Sequence, residues 1–162
     1  MIGPNKSTGG DAGDALNMRE FVTATIAGQL CGIPVLQVQD VLGPQRTTAI
    51  PLAPPEVAGS LNLRGRIVTA IDLRVRMGLA PLDDAPERMS IVVEHRGELY
   101  SLMVDQVGEV LKVGTAAFER CPATLDARWR AFSEGIYRLD EGLLLVLDVD
   151  PLLDFGGDQA AA

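Results

Sequence analysis

The chain of 162 residues can build one domain, or two small ones sharing a core, without metal or disulfide staples. Hydrophobic residues at 47% exclude a disordered chain, and 14 basic against 22 acidic residues, a net charge of −8, exclude the basic footprint of general nucleic-acid binding. Aromatics at 4% leave no stacking platform for single strands, and one histidine with two well-separated cysteines, Cys31 and Cys121, cannot assemble a standard zinc set.

Residues 1–18, rich in Gly, Ser, Asn and Asp, read as a disordered leader with no secretory signal, and residues 156–162 read as a flexible tail. Phe21, Thr23, Thr25 and Ile26 predict a strand, and Ala27-Gly28-Gln29 a turn into a second apolar run at Leu30, Ile33 and Val35. Prolines 44, 51, 54 and 55 exclude long helices from this half. Ser60 to Leu73 reads as a hairpin. Leu73 to Leu79 reads as a short helix stopped by Gly78, and 78–89 as a junction. His95 is placed at an exposed hairpin tip. Asp105 and Glu109 read as solvated carboxylates beside Val104, Val107 and Val110. Thr124 is expected to cap a helix from Leu125 to Phe132 with Trp129 on its apolar face. Ile136 to Val149 forms a second hairpin, and its apolar block Leu143 to Leu147 suits a buried strand rather than a membrane span.

The two halves resemble each other. Gly28 to Leu42 superimposes on Gly97 to Leu111 with seven of fifteen positions identical and Asp40 against Glu109; Gly59 then matches Gly135, and Asp72 matches Asp148. Four to five short strands per half predict a small barrel or curled sheet in each. The division expected is about 19–80 and 88–155, with a shared hydrophobic seam.

Sites of chemistry are scarce. The chain has no P-loop, GxGxxG or GxSxG. Asp148 to Asp154 fails as a calcium loop because Leu153 stands where the sharp-turn glycine belongs. Cys31 matches Tyr100 in the repeat and is assigned to the core. The informative segment is Asn62-Leu63-Arg64-Gly65-Arg66. Gly65 supplies the positive φ of a tight hairpin, so Arg64 is turned outward. Between residues 60 and 77 the chain carries four arginines against Asp72, locally +3. This patch predicts a docking surface for an acidic protein partner, with Asp40 available to pair with Arg64 or with that partner.

Taken together, Gly32 to Val35, Val38-Gln-Asp-Val41, Ile50 to Pro54, Gly59-Ser-Leu-Asn-Leu-Arg-Gly65, Ile71-Asp-Leu73, Val104 to Val110 and Leu147-Asp-Val149 resemble the CheW-like family of chemotaxis coupling proteins. The similarity spans about residues 20–155. It implies a mainly β fold of two five-stranded SH3-like barrels packed together, with one or two short helices. It also implies a cytoplasmic adaptor without catalytic activity or cofactor. Such proteins link the regulatory domain of a CheA-type histidine kinase to the cytoplasmic tips of methyl-accepting chemoreceptors, without membrane insertion. A related pathway, twitching motility or gene regulation, is the alternative. Carried onto this sequence, the family's arginine falls on Arg64 and its carboxylate on Asp40, here one carbon shorter than the usual Glu. Receptor-docking positions fall on Val38, Gly59 and Met89, with Asn62 and Gly65 completing the Arg64 turn.

Overall fold

The computed structural model describes residues 17–80 and 88–154. The leader, the tail and most of the expected junction therefore lie outside the described residues, except that Met18, placed in the leader, already begins the first strand.

The described residues form ten strands: β1 (Met18–Ile26), β2 (Gln29–Pro34), β3 (Val38–Leu42), β4 (Val57–Leu63), β5 (Arg66–Asp72), β6 (Met89–His95), β7 (Glu98–Val104), β8 (Gln106–Gly114), β9 (Ser133–Leu139) and β10 (Gly142–Leu147). Three short helices accompany them: α1 (Leu73–Arg76), α2 (Ala127–Arg130) and α3 (Val149–Leu153). The strands make two five-stranded sheets, β8-β1-β2-β10-β9 (barrel 1) and β3-β6-β7-β5-β4 (barrel 2). Each is closed by the segment that follows one outer strand: Glu119, beyond β8, bridges to Ile136 of β9, and Thr48, beyond β3, bridges to Ser60 of β4.

The sheet order corrects the expected division. The duplicated unit is real, because β1–β5 and β6–β10 correspond one to one. Even the turns agree: Ala27-Gly28 has φ +51° and +81°, and Arg96-Gly97 has +53° and +81°. Yet neither barrel is one unit. Barrel 1 takes β1 and β2 from the first copy and β8 to β10 from the second; barrel 2 takes the remainder. The hairpins β1–β2 and β6–β7 each pair in parallel with the last strand of the other copy, β2 with β10 and β7 with β5. The chain crosses from barrel 1 to barrel 2 at a 3-10 turn, Val35–Gln37, and returns at the single residue Asp105.

This exchange places the main core between the barrels, where Ile26, Cys31 and Ile33 of barrel 1 meet Ile71, Ile91 and Leu102 of barrel 2. On β6, Ile91 and Val93 face that seam while Val92 faces barrel 2's own interior with Val68 and Leu61, so both faces of the strand are apolar. Cys31 is fully buried, and burial pushes its thiol well up, as expected of a packing residue. Barrel 1 keeps a small core of Phe21, Tyr137, Leu144 and Val146. Tyr137 is buried between Phe21 and Phe118, and its hydroxyl has no hydrogen-bond partner. An unpaired buried hydroxyl costs about 1 kcal/mol or more. Tyr137→Phe is therefore expected to raise stability by about 1 kcal/mol, read as a higher midpoint in urea at unchanged slope; a lower midpoint would show that the hydroxyl is satisfied.

Asp72 caps α1, accepting from the Arg74 amide at 3.0 Å. The helix stops at Arg76, and Gly78 turns the chain at φ +76°. Asp126 rather than Thr124 caps α2, accepting from the Arg128 amide, because a carboxylate two residues before the amide reaches it directly. Trp129 does pack against the main core from α2.

Candidate functional site

The β4–β5 hairpin closes on Arg64-Gly65, with φ +51° and +86°, the two left-handed residues of a tight hairpin turn. Asn62 Oδ1 accepts from the Gly65 amide at 2.9 Å and fixes this turn from below. The Arg64 side chain is 76% exposed, and its Nη2 lies 2.8 Å from Oδ2 of Asp40. Asp40 reaches that position because β3 carries a register shift between Val38 and Asp40 against β6. Its Oδ1 accepts from the Val41 amide at 2.8 Å. Its Oδ2 is shielded from water yet makes no well-aligned hydrogen bond, so the contact with Arg64 is a pairing of charges. An ion pair this exposed stabilises the fold by at most about 1 kcal/mol. Its effect is to hold the guanidinium in one place.

The structure therefore gathers Asp40, Asn62, Arg64 and Gly65 at one end of barrel 2, with Val38 half-buried at the start of the same strand as Asp40. The other two residues lie apart. Met89 begins β6 and pairs with Val104, three positions before Val92, the partner of Asp40. Gly59 is buried at the closure of barrel 2; a Cβ there would lie 2.7 Å from the Thr48 carbonyl oxygen.

Beside this end runs a groove of about 260 Å³ lined by Met18, Arg19, Glu20, Pro34, Val35 and Leu36. Leu36, on the crossover turn into β3, is 97% exposed. Sequence reasoning did not single it out, because it follows directly on the apolar run of Leu30, Ile33 and Val35. The outward position of Leu36 depends on the 3-10 turn, which no residue there announces.

Two sequence readings are corrected. Asp105 is not solvated: Arg74 clasps it through Nε at 3.0 Å and Nη2 at 2.7 Å, and the Ala27 amide donates to it at 2.8 Å. Burial would raise its pKa, but the hydrogen bonds from Arg74 and Ala27 outweigh that and hold the carboxyl below the ordinary range. His95 is not at the tip, which is Arg96-Gly97. It is 8% exposed, with Nδ1 3.4 Å from Asp150 on α3 and Nε2 3.7 Å from Asp154, the residue after that helix. The Tyr100 ring packs edge-on to the imidazole, with centroids 6.2 Å apart. Glu109 is exposed, as expected. Among the described residues no group of His, Cys, Asp and Glu could hold a metal ion, and no helix is long and apolar enough to cross a membrane. What this end of the molecule offers is an exposed guanidinium paired with Asp40 and a groove that mixes the apolar Pro34, Val35 and Leu36 with the charged Arg19 and Glu20, an arrangement suited to binding.

Comparison with known proteins points the same way. The family model of the CheW-like domain matches residues 20–155. A probable chemotaxis protein CheW of Rhizobium etli is 28% identical over 143 residues, covering 88% of this chain and 92% of that protein. Protein PilI of Pseudomonas aeruginosa is 29% identical over 122 residues, covering 74% and 67%. The crystal structure of the scaffolding protein TtCheW from Thermoanaerobacter tengcongensis superimposes with a TM-score of 0.76 at 30% identity, covering 86% of this chain and 94% of that one.

Proposed function

Because this chain belongs to the CheW-like domain family, we propose that it is a non-catalytic adaptor that couples chemoreceptors to a CheA-type histidine kinase. The observation that carries the reading is the pairing of Arg64 with Asp40 beside the groove at Leu36. A receptor helix that lays apolar side chains on Val35 and Leu36, beside the charges of Arg19 and Glu20, would use an ordinary mode of recognition. The kinase's regulatory domain takes a separate surface of the same molecule. The adaptor then works by holding two partners together and raising their effective concentration. It needs no bond-making step, and its place is the cytoplasm, at membrane-bound receptor arrays through protein contacts. Similarity to PilI favours a second reading, the same coupling role in a related non-flagellar chemosensory pathway.

Arg64→Ala tests the site. The exposed side chain contributes little to folding, so the melting temperature is expected to stay within about 3 °C, since surface changes are worth within about 0.5 kcal/mol. Receptor-tip binding is expected to fall about tenfold or more, the weight of an arginine anchor. Unchanged affinity with both partners would remove Arg64 from the interface.

A further inference from the structure

His95, the chain's only histidine, ends β6 of barrel 2 and faces α3, the helix that follows the last strand of barrel 1. The helix packs Val149, Leu152 and Leu153 into the main core. The imidazole lies between two carboxylates, Asp150 toward Nδ1 and Asp154 toward Nε2. Its Nε2 is shut off from water and has no hydrogen-bond partner. A neutral imidazole carries one N–H and one lone pair, whichever tautomer is present, and an ionised carboxylate only accepts. One ring nitrogen therefore meets an acceptor with no proton to offer it. An imidazolium carries a donor on both sides and presents each carboxylate with the group it can use.

The surrounding charges lean the same way. Arg96, in the β6–β7 turn, reaches Asp154 at 3.2 Å, and Glu98 on β7 is the cross-strand partner of His95. Glu98 Oε1 faces the hydroxyl of Tyr100, whose ring lies edge-on to the imidazole. Asp148 caps α3. Behind the helix, Glu134 on β9 titrates above the ordinary glutamate range, raised by burial first and then by Asp148 and Asp150 against the pull of Arg19. From α1, Arg76 donates to the Pro151 and Leu152 carbonyls, each at 2.8 Å. The helix is thus docked on barrel 2 by one tie with a permanent charge, Arg76, and one whose charge depends on pH, His95. We propose that His95 is a pH-sensitive latch: on protonation it ties α3 to β6, so that the join between the barrels tightens in mildly acid conditions and loosens as pH rises.

Amide hydrogen exchange on the full chain tests this, with the α3 amides read as protection relative to the unfolded chain so that the intrinsic pH dependence drops out. An imidazole ordinarily changes charge between about pH 5 and 8, above the aspartate range. From about pH 8 to about pH 5.5 protection of α3 is expected to rise about three- to fivefold in the wild type, the weight of two partly exposed ion pairs. His95→Gln keeps a donor and an acceptor without a titrating ring, and should show no rise. Asp150→Asn and Asp154→Asn should each diminish the rise, and Glu134→Gln should keep it. No rise in the wild type, or an equal rise in His95→Gln, overturns the inference. If His95→Gln disturbs the fold, the two Asn variants decide, and an undiminished rise in both overturns it.

Discussion

Replacing Asp105 with alanine is expected to cost about 3–5 kcal/mol, the penalty for removing one partner of a largely buried ion pair. Asp105 is the only residue between β7 and β8, where the chain returns from barrel 2 to barrel 1. Its carboxylate joins three parts of the fold: Arg74 on α1, the Ala27 amide in the β1–β2 turn of the other barrel, and Arg88, whose Nη2 is 3.9 Å away. The Arg74 and Asp105 side chains are only 13% and 16% exposed. Arg88 retains Asp72 at 2.9 Å and the Met103 carbonyl at 3.1 Å, but Arg74 loses its only carboxylate among these contacts. The remaining buried cation, more than the lost attraction, sets the penalty. Urea unfolding near pH 7 should show a lower midpoint with little change in slope. The sign of the pH dependence follows from the direction of the shift. Asp105 titrates lower in the folded state than in the unfolded chain, so its stabilisation is fully present above about pH 4, the unfolded value for an aspartate, and is lost as pH falls toward the folded value. The gap between wild type and Asp105→Ala should therefore narrow below about pH 4. A gap that persists unchanged there would assign the cost to packing.

The second large effect is expected at Gly135. Its counterpart in the other copy is Gly59, and the two residues that follow them, Ile136 and Ser60, make the bridges that close each barrel, to Glu119 and Thr48. At both closures the incoming segment passes directly over the glycine. A Cβ at Gly135 would overlap the Phe118 ring and the Glu119 carbonyl oxygen; the latter is backbone and cannot rotate away. At Gly59 the Thr48 carbonyl is the obstacle, and a φ of +152° adds strain for any other residue. Gly135→Ala is expected to cost about 3 kcal/mol, at the upper end of overpacking penalties, and to lower the melting temperature by roughly 6–12 °C for a chain of this size. Gly43→Ala, which meets nothing within 4 Å, is the control and should melt like wild type. Equal melting temperatures for the two variants would show that the barrels are not closed at these points. Gly59 thus has a sufficient structural reason to be glycine, independent of any docking role.

Much of the molecule was legible because its signals are local. The Arg64-Gly65 turn, the two terminal hairpins and the apolar block of β10 follow from positive-φ glycines and alternating or continuous apolar runs. The repeat was legible as similarity, and with it the number of strands. The exchange of strands between copies was not, because similarity tells which segments are alike and not which copy each one pairs with. The deciding contacts, β2 with β10 and β5 with β7, are parallel and distant in sequence. The same non-locality hid Asp105 and His95. Each reads as a surface residue among its neighbours, and each is covered by a partner from elsewhere: Arg74 for the one, α3 for the other. At the candidate site the pair Asp40 and Arg64 was accessible to sequence reasoning, since both turn signals and charge point there. Leu36 was not, because leucine is ordinarily a strong sign of a core position, and only the crossover turn reverses it.

If one folded chain holds the kinase regulatory domain and a receptor cytoplasmic tip at once on separate surfaces, as proposed, sedimentation velocity on a mixture of the three should show a single species containing all of them, formed without either partner displacing the other; competition between the two partners for this protein would overturn the proposal.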